Sequence, residues 1–472
     1  MSPRPPGCVR RRRIVQAGAA SALLPGIALT APAARAAAVG RALLVGNTAY
    51  RPVEESIAPA RKCVTDLDAQ LQRFGFAVTV LLEPSLAQVR DALEQLRQAV
   101  AADPRMPALF YFVGHGFQSN SQNLLVPAGG NLDAKPEDLA KDSLSLEREV
   151  FSRLTRPLGP AATVILVDTC RTPDRPLKPP EGLNQTLPPE GCHVAFATGP
   201  GKRAFAPKDP DRHTMFGGML VAELGRAQPT GSVYASLERV RSRVIRQVNS
   251  IDIIVQLFGQ NAQSPELASN VAGDPAWVGG APLAPAVPGP APSPQASPGQ
   301  PVPVPAGDTQ AINAEMEAIS ALNSPQQAYP RLKALSDRLP DGDLADLVRL
   351  RLRDLERVLG AAREARLNPD LAVLQGQPPK VLEDAQRALR GDKYSALRVA
   401  EALRPPAGGE LIERTDHGRW MSFSAYLGNG IAAWRLSLHF RNVDRRDAEA
   451  AKYANLARAN NYIPPRQLGS DR

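Results

Sequence analysis

At 472 residues the chain exceeds a single average domain, and its 43% hydrophobic content suffices for at least one large core. Six arginines fall in the first 36 residues, which hold no Asp or Glu, so of the formal charge of +9 only +3 belongs to the rest. That balance argues against nucleic acid as a partner, because phosphate binding needs clustered cations.

The N-terminal segment, residues 1–36, patterns as an export signal: a basic run Arg10 to Arg13, an apolar stretch Ile14 to Thr30, then small residues with Ala34-Arg35-Ala36 as the cleavage site. Arg11-Arg12-Arg13-Ile14-Val15-Gln16 resembles a bacterial twin-arginine signal, which implies a periplasmic or secreted protein that meets the membrane only during export. An uncleaved anchor is the alternative, yet about 17 residues rich in Ala, Gly and Pro make a poor permanent span. After cleavage Cys63, Cys170 and Cys192 remain, and an odd number leaves at least one thiol outside any intramolecular disulfide. Cys63 and Cys192 either pair or stay as buried thiols.

From Arg41 strand-like and helix-like runs alternate. "RALLVG" is a short apolar strand; "CVTDLDAQLQRFG" sets Val64, Leu67 and Leu71 on one helical face and stops at Gly75. "FAVTVLL" is β-branched and strand-like, and Ser85 with Gln88 forms a capping box ahead of a helix carrying Leu86, Val89, Leu93, Leu96 and Val100. "ALFYFVG", "TVILVD" and "CHVAFATGPG" are further apolar strands, and "MFGGMLVAEL" and "SLERVRSRVIRQV" are helices. Such alternation predicts a mostly parallel sheet with helices on both faces, where ligands bind beyond the carboxyl ends of the strands.

Thr172 to Gly191 holds six prolines without periodicity and reads as an exposed loop. Ala281 to Ala306, with ten prolines in 26 residues, reads as an extended linker separating two domains. Beyond it, residues 308–472 pattern as an all-α domain. One stripe there runs Leu344, Leu347, Val348, Leu352, Leu355, Leu359 and stops at Gly360. Residues 428–462 resemble one Sel1-like or tetratricopeptide-type helix pair, the kind that binds protein partners, with Trp434 and Tyr453 in its core.

The chemistry lies in "FYFVGHGFQ" and "TVILVDTCR". His115, between two glycines, follows one strand, and Cys170, 55 residues on, follows another. A thiol and an imidazole at neighbouring strand ends form a Cys-His pair: the histidine lowers the thiol pKa, the thiolate attacks, and the imidazolium protonates the leaving amine. His193, His213, His417 and His439 lack metal-like spacing, and "KDPDRH" and "DLDAQ" form no recognisable calcium loop. No cofactor is indicated.

Ala42 to Tyr50, Phe74-Gly75-Phe76, "YFVGHGFQ", "NLLVP", "ILVDTCR", "AFATGPG" and "QSPELAS" together resemble the caspase-like peptidases, in particular the bacterial metacaspase-related branch. The resemblance spans residues 41–278. It implies a caspase-hemoglobinase fold, an α/β architecture, and a cysteine endopeptidase with protein or peptide substrates. Its dyad would be His115 and Cys170, with the oxyanion held by the backbone N–H groups of Gly116 and Cys170. It further implies that Asp168 lines a pocket for a basic residue preceding the cut bond and that the loop carrying Arg175 and Lys178 is processed; calcium activation is open but not indicated by the sequence. Lys62 stands where the family has a second pocket carboxylate, and a cation there opposes basic substrates. Two other readings compete. One is a caspase-fold scaffold without proteolysis, and the other a small-molecule thiol hydrolase, which fits the dyad but not the ordered motifs.

Overall fold

The computed structural model describes residues 38–119, 122–169, 183–278, 309–322, 324–405 and 411–464. The export segment, Cys170, Arg175, Lys178 and the linker 281–306 lie outside them. Among the described residues nine strands form two sheets. In chain order they are β1 (Gly40–Gly46), β2 (Phe76–Leu82), β3 (Ala108–Val113), β4 (Gly116–Ser119), β5 (Gln122–Leu125), β6 (Leu144–Ser145), β7 (Thr163–Asp168), β8 (Cys192–Phe196) and β9 (Glu266–Asn270). The central sheet has the order β2-β1-β3-β7-β8-β9, parallel throughout except that β9 runs antiparallel to β8. β4, β5 and β6 form the small antiparallel sheet. The α/β class read from the sequence is therefore observed, with an antiparallel edge added.

Every residue of β3 and β7 is buried, as continuous apolar runs require when helices cover both faces of a sheet. On one face Leu44, Tyr111 and Leu166 meet α1 (Ala60–Arg73), α5 (Met215–Arg226) and α6 (Val233–Asn249). On the other, Leu43, Phe110 and Ile165 meet α2 (Leu86–Ala102) and a π-turn (Leu146–Phe151) that runs into the single turn α4 (Ser152–Leu154). A short α3 (Pro136–Lys141) and α7 (Asp252–Phe258) complete the α/β region. Local signals act as read. Ser85 and Gln88 form their reciprocal capping box, and Gly75, at φ +87°, ends α1 where a side chain would be strained. Cys63 and Cys192 are free buried thiols in the cores on opposite faces of the sheet, which rules out a bond between them.

The C-terminal region is helical: α8 (Thr309–Ser320), α9 (Pro325–Arg338), α10 (Asp343–Glu364), α11 (Pro379–Ala388), α12 (Lys393–Ala402), α13 (Asp416–Tyr426), α14 (Gly430–Asn442) and α15 (Asp447–Ala459). One expectation needs correction here: α10 continues past Gly360 because Ala361 and Ala362 are buried against the helical core, and the left-handed residue that follows the helix is Arg366 instead. The helices pack on the α/β region, and the described residues from Ala38 onward belong to one compact unit. Tyr394 of α12 enters the core beneath the sheet, with its hydroxyl on Glu266 at 2.7 Å. The Arg387 guanidinium donates to the carbonyls of Val271 and Gly273, each at 2.7 Å, and Arg241 of α6 pairs with Asp354 of α10 at 2.8 Å. No helix among the described residues is long and apolar enough to cross a membrane.

Candidate active site

β3 and β7 are adjacent, with Val113 opposite Asp168, so the chain after each strand emerges at the same edge of the sheet. His115 lies just past β3. Its backbone N–H donates to the Tyr50 hydroxyl (3.0 Å), its carbonyl accepts from Val126 N–H (2.9 Å), and its ring packs edge-on against Tyr50 with centroids 4.6 Å apart. The ring Nε2 sits 2.7 Å from the Glu55 carbonyl. A carbonyl only accepts, so Nε2 carries the hydrogen, and Nδ1 of the neutral ring is left as the proton acceptor. The glycines on either side now have a structural reason. A Cβ on Gly114 would stand 2.4 Å from the Tyr50 hydroxyl, and one on Gly116 would press on Thr169 Oγ1 at 3.1 Å.

Asp168 ends β7 on the face covered by α1 and α5. It is 4% exposed, and its Oδ2 accepts the hydroxyls of Tyr111 (3.0 Å) and Thr214 (2.5 Å). Burial raises its pKa to about 6 despite those hydrogen bonds. The cation expected to face it points elsewhere: the Lys62 ammonium pairs with Asp66 at 2.9 Å, and Asp66 also receives His213 at 2.8 Å. Cys63, one position along α1, is the residue in the Tyr111–Thr214–Asp168 layer, and burial pushes its thiol up to about 11. A cleft of about 600 Å³ opens beside the loop that anchors His115, with Thr48, Ser56, Arg61, Lys62, Asp66 and Asp211 on its walls. Asp168 therefore lies behind this cleft, enclosed by its own hydroxyl partners.

The raised Asp168 pKa has a consequence for stability. The folded chain holds this proton more tightly than the unfolded one, so the stabilisation is complete below about pH 4 and is lost as pH rises through about 6. Asp168→Asn keeps the acceptor and removes the titration. It is expected to be about 3 kcal/mol more stable than the parent at pH 8, with the gap closing at pH 4, as thermal melts at the two pH values would measure.

The other histidines serve structure. His193 is fully enclosed, with Nδ1 on Ser269 Oγ at 2.8 Å and its pKa lowered by burial to about 3, and His417 Nδ1 bonds the Ala400 carbonyl at 2.7 Å. Reasoning from sequence assigned no role to Tyr50, Glu55 or Thr214. Tyr50 closes the "ALLVGNTAY" run, but nothing in the spacing shows that its hydroxyl reaches the His115 amide.

The family model described as "Caspase domain" matches residues 39–274, half of the chain. The chain belongs to this family, that of the caspase-type cysteine peptidases, whose peptidase domain implies protein substrates. No curated protein matches it. Among solved structures it is similar to caspase-1 from Spodoptera frugiperda, with 16% identity over 51% of this chain and 90% of that one and a TM-score of 0.37.

Proposed function

We propose that this chain is an exported cysteine endopeptidase in which Cys170 is the nucleophile and His115 the proton carrier. His115 Nδ1 takes the thiol proton and the thiolate adds to the peptide carbonyl. The C–N bond then breaks as the imidazolium returns the proton to the leaving amine, and water hydrolyses the thioester. The N–H groups of Gly116 and Cys170 hold the developing oxyanion. The single observation that carries the reading is the anchored imidazole: Glu55 fixes its tautomer at the end of β3, one strand from the end of β7. Asp66 and Asp211 on the cleft wall support cleavage after a basic residue, and the resemblance adds Asp168, two residues before Cys170, which a substrate would reach only by displacing its hydroxyl partners. Self-processing near Arg175 and Lys178, export by the twin-arginine route and protein binding by a Sel1-like pair in residues 428–462 belong to the same reading.

The test is to incubate the mature protein with a peptide library, with and without calcium, beside Cys170→Ala. Cysteine-dependent cuts after Lys or Arg support the proposal; cuts elsewhere remove the basic preference, and no cuts in any condition remove the enzyme. Mass spectrometry of both proteins is expected to show a break near Arg175 or Lys178 only when the thiol is present. A second reading, a scaffold of the same fold without proteolysis, is favoured by one observation: Asp168 is sealed behind Cys63, Tyr111 and Thr214. The same experiment decides between them.

A further inference from the structure

Leu183 is buried in the core beneath the sheet, and the next two residues are each 5% exposed despite being amides. Asn184 reaches in two directions. Its backbone N–H donates to Asn123 Oδ1 (2.5 Å) and its carbonyl accepts from Asn123 Nδ2 (3.3 Å). Its own side chain pairs with the backbone of Ile463, donating to the carbonyl (2.8 Å) and accepting from the N–H (3.2 Å). Gln185 donates to the carbonyls of Gly428 (2.9 Å) and Asn460 (2.8 Å) and accepts from Gly430 N–H (2.8 Å). Those partners are the turn between α13 and α14 and the chain leaving α15.

We propose that Asn184 and Gln185 are positioning residues of the peptidase site, a latch through which the C-terminal helices hold His115 in place; this rests on the peptidase reading above. The connection is short and polar. Asn123 lies on β5, and three residues on, Val126 donates to the His115 carbonyl and accepts from the Tyr50 hydroxyl that holds the His115 amide. Asn123 is itself fixed by Glu147, at 3.1 Å from its backbone N–H and 2.6 Å from Nδ2. Hydrogen bonds inside a desolvated interface are directional and costly to leave unmade, so each amide sets a register that apolar packing would not. The helical region is thus a fixed part of the catalytic unit.

The experiment uses the full chain with Gln185→Ala, the near-isosteric Asn184→Asp as a milder second variant, and Arg241→Ala as control. Arg241→Ala breaks an ion pair between the same two regions without touching the latch. Gln185→Ala is expected to lower kcat about tenfold or more with KM changed less than about twofold, and Asn184→Asp to fall between it and the parent. Arg241→Ala, at a comparable loss of Tm, is expected to keep kcat within about twofold. A kcat unaffected by both latch variants, or equally reduced by the control at equal Tm loss, overturns the proposal. If the parent cuts no peptide, the peptidase reading has failed, and hydrogen exchange at the Val126 amide decides the latch alone. Faster exchange in Gln185→Ala than in Arg241→Ala supports it, and equal exchange refutes it.

Discussion

Replacing His115 with alanine is expected to lower kcat/KM on a cleavable peptide by about 10²- to 10⁴-fold, the range a positioned general acid and base supplies. Two anchors make this more than a generic expectation. Glu55 determines which ring nitrogen bears the hydrogen, and Tyr50 holds the backbone and one ring edge. In the proposed dyad the imidazole favours the thiolate, so its removal is expected to return the Cys170 thiol toward ordinary cysteine behaviour. The pH midpoint of iodoacetamide labelling is therefore expected to move upward in His115→Ala. Tyr50→Phe keeps the ring contact and removes the hydroxyl from both the His115 amide and the Val126 carbonyl, so a smaller loss of about tenfold is expected. Should the labelling midpoint and the cleavage rate both survive in His115→Ala, the imidazole has no part in the chemistry.

How much of this was legible before the structure depends on what kind of signal each element leaves. The central strands are unbroken apolar runs and the first helices carry period, cap and glycine stop together, so β1 to β3, β7, β8, α1 and α2 follow from local rules. In the structure Asp168 lies on the face it shares with Leu166. What seals it there is a tertiary fact, because Tyr111 and Thr214 lie 57 and 46 residues away in sequence. Lys62 shows the limit differently: neighbouring residues on a helix point about 100° apart, so an offset of one position exchanges an ammonium facing water for a thiol facing the core. β4 and β5 are too short for periodicity to register. The burial of Leu183, Asn184 and Gln185 was hidden by the six prolines of their segment. The polar part of the helices' docking leaves no sequence trace either, since Arg387 and Gln185 bond to backbone carbonyls that every sequence possesses.

Tyr394→Ala is expected to destabilise the whole chain by about 3–5 kcal/mol, the usual cost of emptying a large aromatic site in a packed core. Tyr394 is 1% exposed and, although carried by α12, it packs in the core beneath the sheet and donates to Glu266 at the start of β9. It belongs to one region by chain and to the other by contact. Its loss should be felt on both sides. Trp277 reports the α/β core and Trp420 the helical core, so variants retaining one or the other tryptophan follow the two regions separately in urea. The parent is expected to give coincident transitions, and Tyr394→Ala to shift both to lower urea together. Tyr394→Phe, which removes only the hydroxyl, is expected to cost about 1–2 kcal/mol. A shift confined to the Trp420 signal would mean that the helices unfold alone, and the union of the two regions would then be a contact without cooperative weight.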